Sequence, residues 1–528
     1  MSPSTPRRIV AAVVAAATAA VLAACAGGSG ASNPIRLGWS GEIPPLDPAA
    51  SATVGSYAFL SQIYPSLLTI EPDEDEPVLA IAESAAWTAD GVYTVVLKPG
   101  LEFANGDDLT TSDVKFSIER QLALQSDDGA WRQLQTIDSV DLVDDTTIEF
   151  RFSTAVDSRF PFVLAGPAGL VLDEEAFFAD ELTPDEDILD AEPFAGPFSL
   201  GTLRGDVLLL RPYPGFGGDR SALASVEVHP GEGAALAQQL RDGSLDALTG
   251  RLDGATLDSL SDDDDLDLSR AASGRVRLLA FDFAHMPYGT RTETPDANIA
   301  LAVRAAAADV LDREEITDDL GADWVEPLTG YLPHGIPGAT DVFSGLRGDL
   351  EGGPDVDAAA ALLTAAGIVE PVELTVHVDL EQVGFPGREE VEAIAAQLED
   401  SGLFSVTIVE TDGEGLGAAL LAGEVQAMFT SILPADADPQ DYLAPFRSTS
   451  AFIPGYADAN VDALLARQIT EADPDVRAAT VLETQNAIAA QVPAIPVTQG
   501  VRVVFARSVI SGVQLEDSAA LDLTRLRR

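Results

Sequence analysis

Four histidines, one cysteine and two lysines are the residues of this 528-residue chain best suited to metal, nucleophilic or acid–base chemistry. Their spacing argues against all three. His229, His285, His334 and His377 are scattered, with no pair at metal-ligand spacing. Cys25 has no second cysteine to bridge. The chain holds no G-x-S-x-G elbow, no HExxH and no glycine-rich phosphate loop. No enzyme is expected, and neither a cofactor nor a bound metal. Lys98 and Lys115 are the only lysines; the other 28 of the 30 basic residues are arginines. Both fall within residues 95–122, at positions that read as solvated and without an acid–base task. The run "DDDDLD" (262–267) lacks ordered calcium-ligand spacing and reads as a solvated loop.

The elements around these residues alternate between strand and helix, which predicts an α/β architecture. "WTADGVYTVVLKPGLEF" (87–103) is a hairpin turning at Asp90-Gly91. "TTSDVKFSIERQLAL" (110–124) is a helix, with Thr110 and Asp113 as a capping box and Val114, Ile118 and Leu122 on one face. Residues 147–153, 275–283, 372–380 and 404–411 read as strands. Residues 298–316, 355–368 and 387–403 read as helices, and 233–250 as a helix and turn. Two more helices and a last strand follow residue 459. The 86 acidic residues leave a net charge of -56, yet 46% of the chain is hydrophobic, so the acid clothes a folded surface. Such a charge excludes nucleic acid and anionic membrane as partners. It repels anionic ligands at long range and favours cationic or neutral ones. The length predicts more than one core.

The N-terminus reads as an export signal over residues 1–25, with Arg7 and Arg8 before an apolar stretch. Leu22-Ala23-Ala24-Cys25 resembles the lipobox of bacterial lipoproteins, which implies diacylation of the Cys25 sulfur. Residues 26–34 then form a flexible tether. Each buried lipid methylene contributes roughly 0.8 kcal/mol, so acyl chains can hold an acidic body at a membrane it would otherwise avoid. No later run is long and apolar enough to span a bilayer. The expected location is the outer face of the cell membrane, lipid-anchored.

Residues 77–122 carry a more specific pattern: Leu79-Ala80, Ser84, Trp87, Asp90-Gly91, Leu97, Gly100, Phe103, Gly106, Thr110, Asp113-Val114, Ser117 and Arg120. This resembles the signature of family 5 extracellular solute-binding proteins, the oligopeptide-, dipeptide- and nickel-binding lipoproteins of ABC importers. "AGPFSL" (195–200), "AVRAAAADVLDREEI", "DVDAAAALLTAAGI", "ADADPQDYL" and "QVPAIPV" resemble further family landmarks in family order. The resemblance implies a two-lobed periplasmic-binding-protein-like fold with an extra N-terminal subdomain, mixed sheets flanked by helices, and a ligand cleft between lobes that close by hinge motion. Lobe I is expected from 35–50, 190–275 and 488–528, its extra subdomain from 51–189 and lobe II from 276–487. Crossovers near 270–280 and 480–490 form the hinge.

In peptide binders of that family, an aspartate of the "D-x-x-DP" loop pairs with the peptide amino terminus. Here the matching slot is Ala435, and Asp436 follows it. Either the loop is one residue shorter and Asp436 still serves, or the anchor is missing. Asp438 is the other acid within reach, and both also suit a solvated turn. Tyr57, Trp324 and Tyr442 lie near segments that face ligand in the family, and each also suits a core. The histidine spacing disfavours the nickel-binding branch. The resemblance therefore implies a monomeric receptor for a peptide or peptide-like solute, with ABC permease subunits and the membrane as partners. The alternative is a non-transport surface lipoprotein on the same fold, a regulator or scaffold of envelope assembly, a role ascribed to some actinobacterial relatives.

Overall fold

A computed structural model of the chain describes residues 34–528 except 72–75, 202–204, 219–222, 224, 322–323, 351, 435–436 and 516–520. Cys25 and Asp436 lie outside the described residues, as do the export signal and all of the tether but Pro34.

The expected hairpin is present as strands Ala82–Ala89 and Val92–Leu97. Gly91 makes the turn at φ +69°, and a Cβ there would stand 2.6 Å from the Phe152 carbonyl oxygen. Strands Thr147–Phe152 and Ile137–Leu142 complete a four-stranded antiparallel sheet. Helix Thr111–Leu124 packs on it through Val114 and Ile118, and the Thr110–Asp113 capping box forms. Two further signature residues reach outside this sheet and helix. Ser117 Oγ accepts from Leu172 N at 2.8 Å, and Arg120 grips Asp47 with two bonds of 2.9 and 2.6 Å. Asp47 also accepts from Thr183 N, at 2.8 Å. The signature thus bolts the subdomain to the body of its lobe. Lys98 and Lys115 depart from the solvated reading. Both are half-buried, with Nζ donating to the carbonyls of Ala80 at 2.5 Å and Val140 at 2.6 Å.

One eleven-stranded sheet runs through the rest of the molecule. Its centre is a pair of long antiparallel strands, Leu266–Phe281 and Ala494–Arg507. Residues 266–272 of the first pair with 501–507 of the second. Beyond a register shift, residues 276–280 pair with 494–499. Ser273, Gly274 and Arg275 therefore oppose the single residue Gly500, a bulge that bends both strands. Gly500 suits the spot because Ser273 Oγ lies 2.6 Å from where its Cβ would be. On one side of the bulge, strands Ala427–Ile432, Val372–Asp379 and Phe404–Thr411 extend the sheet. On the other stand Ala247–Gly250, Ile35–Ser40, Val226–Gly231, Leu208–Pro212 and Phe198–Leu200.

The cores divide at the bulge. One gathers Val276 to Val497, with helices Ala297–Val310, Val356–Ala365 and Gly387–Asp400 packed on its sheet half. A second joins Ile35 and Leu37 to Leu170, Phe194, Val226 and the C-terminal Leu526. A third fills the subdomain from Leu67 to Val171, together with Ala195. A fourth covers the other face of the lobe I strands with Leu240, Leu248, Leu257, Trp324 and Phe505.

The structure departs from expectation in several places. The span 480–490, expected as a crossover, is filled by helix Pro474–Gln491, and the strand that pairs with residues 266–280 begins at Ala494. The expected helix 298–316 breaks after Val310, where Asp312 caps a new helix, Arg313–Leu320, by accepting from Glu315 N. The strand expected at 275 begins at Leu266. The segment 233–250 ends in a strand rather than a turn.

Candidate functional site

A cleft of about 890 Å³ opens over the bulge, between the two halves of the sheet. Ser273, Gly274, Arg275, Arg502 and Val503 form its floor. Ser40–Pro45, Thr53–Ser56 and Thr249–Arg251 supply one wall; Ile336, Leu433, Pro434, Ala437 and Tyr442 supply the facing one. Asp127 and Asp128 of the subdomain reach its edge. A second recess of about 510 Å³ lies between the subdomain and lobe I, lined by Tyr57, Gln62, Lys98 and Gly166, and it meets the cleft at Ala437.

The expected site residues fare differently. Tyr442 lines the cleft, with its hydroxyl donating to the Gly274 carbonyl at 2.9 Å. It therefore ties the helix Pro439–Leu443 to the bulge. Tyr57 lines the recess, and its hydroxyl donates to the Ala165 carbonyl. Trp324 is buried in the fourth core, packed on Phe505 with Nε1 donating to Asp258 at 3.4 Å, and it is not among the cleft-lining residues. Indole burial against lobe I leucines outweighs any exposure to the cleft.

Asp438 is neither solvated nor facing the cleft. It is 1% exposed and caps the helix Pro439–Leu443 by accepting from Gln440 N at 2.7 Å. Arg477 Nη2 reaches both of its oxygens, at 2.8 and 2.6 Å. Burial raises the carboxyl to about 6, against the pull of Arg477. Asp438 is thus paired with Arg477 inside the protein, and it is not among the residues that line the cleft. Close by, the segment around residue 158 meets residues 468–469. Ser158 N donates to the Ile469 carbonyl at 2.8 Å, and Ser158 Oγ to that of Gln468 at 2.8 Å.

Sequence reasoning passed over the arginines of the floor. Arg275 Nη1 donates to Ser431 Oγ at 2.9 Å and to the Gln382 carbonyl at 3.0 Å. Burial, with the charges of Arg277 and Arg251, pushes its guanidinium down to about 10. Arg277 lies opposite Glu390 at 3.3 Å in the buried layer beneath. Strand alternation around 275–277 was the one available signal, and it does not say which face a bulged residue takes. Among the described residues, the one cluster of metal-ligand type is Asp113, Glu174 and Glu175. It holds no histidine, and Asp113 already caps Thr110 and accepts from Glu174 N.

Residues 76–453 match the profile of the bacterial extracellular solute-binding proteins, family 5 Middle. The chain belongs to that family. It is a solute-binding protein of the ABC-importer class, extracytoplasmic, and not an enzyme. The fold resembles HbpA2 from Haemophilus parasuis, at a TM-score of 0.78 and 19% identity over 94% of this chain and 99% of that one. The substrate-binding protein CtaP of an ABC transporter from Listeria monocytogenes gives 0.78 and 20%, over 94% and 99%. A dipeptide-binding protein from a Pseudoalteromonas species, in complex with Met-Leu, gives 0.70 and 18%, over 94% and 100%. No curated protein is significantly similar in sequence. These likenesses establish the two-lobed periplasmic-binding-protein fold. Among the described residues, no helix is long and apolar enough to cross a membrane.

Proposed function

We propose that the protein is a lipid-anchored receptor that encloses a peptide or peptide-like solute between its lobes and presents it to ABC permease subunits. The observation that carries the reading is the cleft itself. It opens over a two-strand crossover in which three residues oppose one, a place where a sheet can bend without breaking its cores. The volume of about 890 Å³ suits a short peptide. The likeness to a fold that holds Met-Leu supports the class of solute.

Cys25 is the anchoring residue of this reading, and one chain forms a complete receptor. The lobes are the two halves of the long sheet, and the subdomain belongs to the first. Tyr442 contributes a cleft wall, and Tyr57 lines the adjoining recess. Native mass spectrometry of the protein purified from its source should show a retained small molecule with peptide-like fragments. A protein that is empty under every growth condition would favour the non-transport alternative, which the commitment of Asp438 to Arg477 also favours. Cys25→Ser should lose the acyl mass and leave the membrane fraction. Unchanged fractionation of that variant would remove the anchor.

A further inference from the structure

The subdomain is tied to more than one body of the molecule. On one side Arg120 grips Asp47, beside Leu46 of the second core. Elsewhere its segment 157–162 meets the first core's body outside the sheet. Phe160 of that segment belongs to the subdomain core, whereas Val461 and Leu465 of helix Ala459–Ile469 belong to the first. The last carbonyls of a helix have no partner within it. Here Ser158 supplies one. Its N donates to the Ile469 carbonyl at 2.8 Å, and its Oγ is shared between the carbonyls of Gln468 and Ile469 at 2.8 and 3.0 Å. Asp157, 2% exposed, sets this turn by accepting from Arg159 N at 3.1 Å and from Arg159 Nη2 at 2.9 Å. Arg477, the partner of Asp438, donates Nε to the same Gln468 carbonyl at 3.3 Å, and its guanidinium lies 5.9 Å from the Phe162 ring centre. Beside these contacts runs a crevice of about 200 Å³, with Trp87, Val156 and Pro161 on the subdomain side and Pro337, Pro474 and Val481 on the other. The two surfaces therefore meet through a few polar points and are not packed as one core, which is the anatomy of a contact that can part.

We propose that Ser158 and the carbonyl end of helix Ala459–Ile469 form a clasp, with which the subdomain holds the cleft shut. The proposal rests on the receptor reading for what the cleft encloses, and it gives the extra subdomain a task. The subdomain travels with Asp47 and the second core; the helix travels with the first. Parting of the two sheet halves about the bulge breaks the clasp, and its re-forming favours the shut form. One hydrogen bond of ordinary net strength is a factor of about three or more in such an equilibrium. The clasp thus closes part of the free population and leaves the solute to close the rest.

The test uses the mature chain bearing Cys25→Ser, without added solute. Solution scattering curves are fitted as mixtures of this structure and an opened form. Ser158→Ala removes the hydroxyl bond and should lower the ratio of shut to open about threefold. Ser158→Asp also sets a negative charge at the carbonyl end of a helix. It should lower the ratio about tenfold, with a larger radius of gyration than the parent. Ser158→Lys loses the same hydroxyl but carries the charge that a helix C-terminus favours, so it should open less than Ser158→Asp. A radius indifferent to Ser158→Asp overturns the clasp. So does equal opening by Ser158→Lys and Ser158→Asp, which would make the effect steric. Loss of native circular dichroism in Ser158→Asp also overturns it, since the contact would then be a fixed part of the fold. The receptor reading is tested apart, by the solute retained in native mass spectrometry. A parent that is always empty yet opens on Ser158→Asp keeps the clasp and loses the receptor. A parent that holds peptide while its radius ignores residue 158 does the reverse.

Discussion

Asp438 and Arg477 show how little a single side chain's type says about its task. The pair is buried, with side-chain exposures of 1% and 10%, and the carboxyl rises to about 6. A folded-state value above the ordinary one means that the folded protein binds this proton more tightly than the unfolded chain does. Stability from this group is therefore full below about pH 4 and is lost as pH rises through about 6. Asp438→Asn keeps the cap and mimics the protonated form. It also leaves Arg477 without its carboxylate, but it removes this titration, so its stability relative to the parent should be higher at pH 7.5 than at about pH 4. Urea unfolding at the two pH values checks this, and a difference that does not change with pH would contradict it. Arg477→Met leaves the buried acid alone and should cost about 3–5 kcal/mol at pH 7.5 in the same assay. The acid itself was legible in the sequence; its partner, 39 residues away, was not.

At the scale of elements, the signature stretch was legible because its rules are local. A capping box spans four residues, a hairpin turn two, and both form as read. Gly91→Ala should destabilise by about 1–3 kcal/mol, since it meets both a positive φ and a backbone oxygen that cannot swing away. Circular dichroism melts would show it as a lowered midpoint. Arg120→Met should be worse, at about 3–5 kcal/mol, because it strands Asp47 in a layer where the two side chains are 0% and 2% exposed. If the subdomain is a cooperative unit of its own, that variant should also lose the protease resistance of residues 67–171 before that of lobe II. Simultaneous cleavage of both would show a single cooperative body.

At the scale of the whole molecule, two features meet: a surplus of acid on the outside and a bend in the central sheet. A net charge of -56 repels itself, so raising salt from about 10 to about 100 mM, which shortens the Debye length from about 30 to about 10 Å, should raise the melting temperature. Closure about the bulge at 273–275 and Gly500 should appear as a smaller radius of gyration by solution scattering when solute is bound. Gly500→Val crowds Ser273 at the crossing and should weaken that change while leaving both cores intact. An unchanged radius on saturation would mean that the lobes do not close.

The sequence by itself determined the family signature, the α/β alternation, the turns and caps, and the absence of any catalytic motif. Each of these depends on residues a few positions apart, where periodicity and local hydrogen bonds leave a readable trace. It did not reveal that the last strand runs from Ala494 to Arg507 and crosses at Gly500, because that depends on pairing with residues more than 200 positions away. Nor did it reveal that Tyr442, itself part of a core, also lines the cleft while Trp324 does not, since both are buried rings whose neighbours the tertiary fold decides. The charge of the cleft was least legible of all. Composition predicts an acidic molecule that repels anions, but Arg251, Arg275 and Arg502 come from three distant segments. The pairing of the two long strands brings Arg275 and Arg502 to the cleft floor, with Arg251 on the adjoining wall, and at contact distance a few converging charges outweigh a larger number spread over a screened surface.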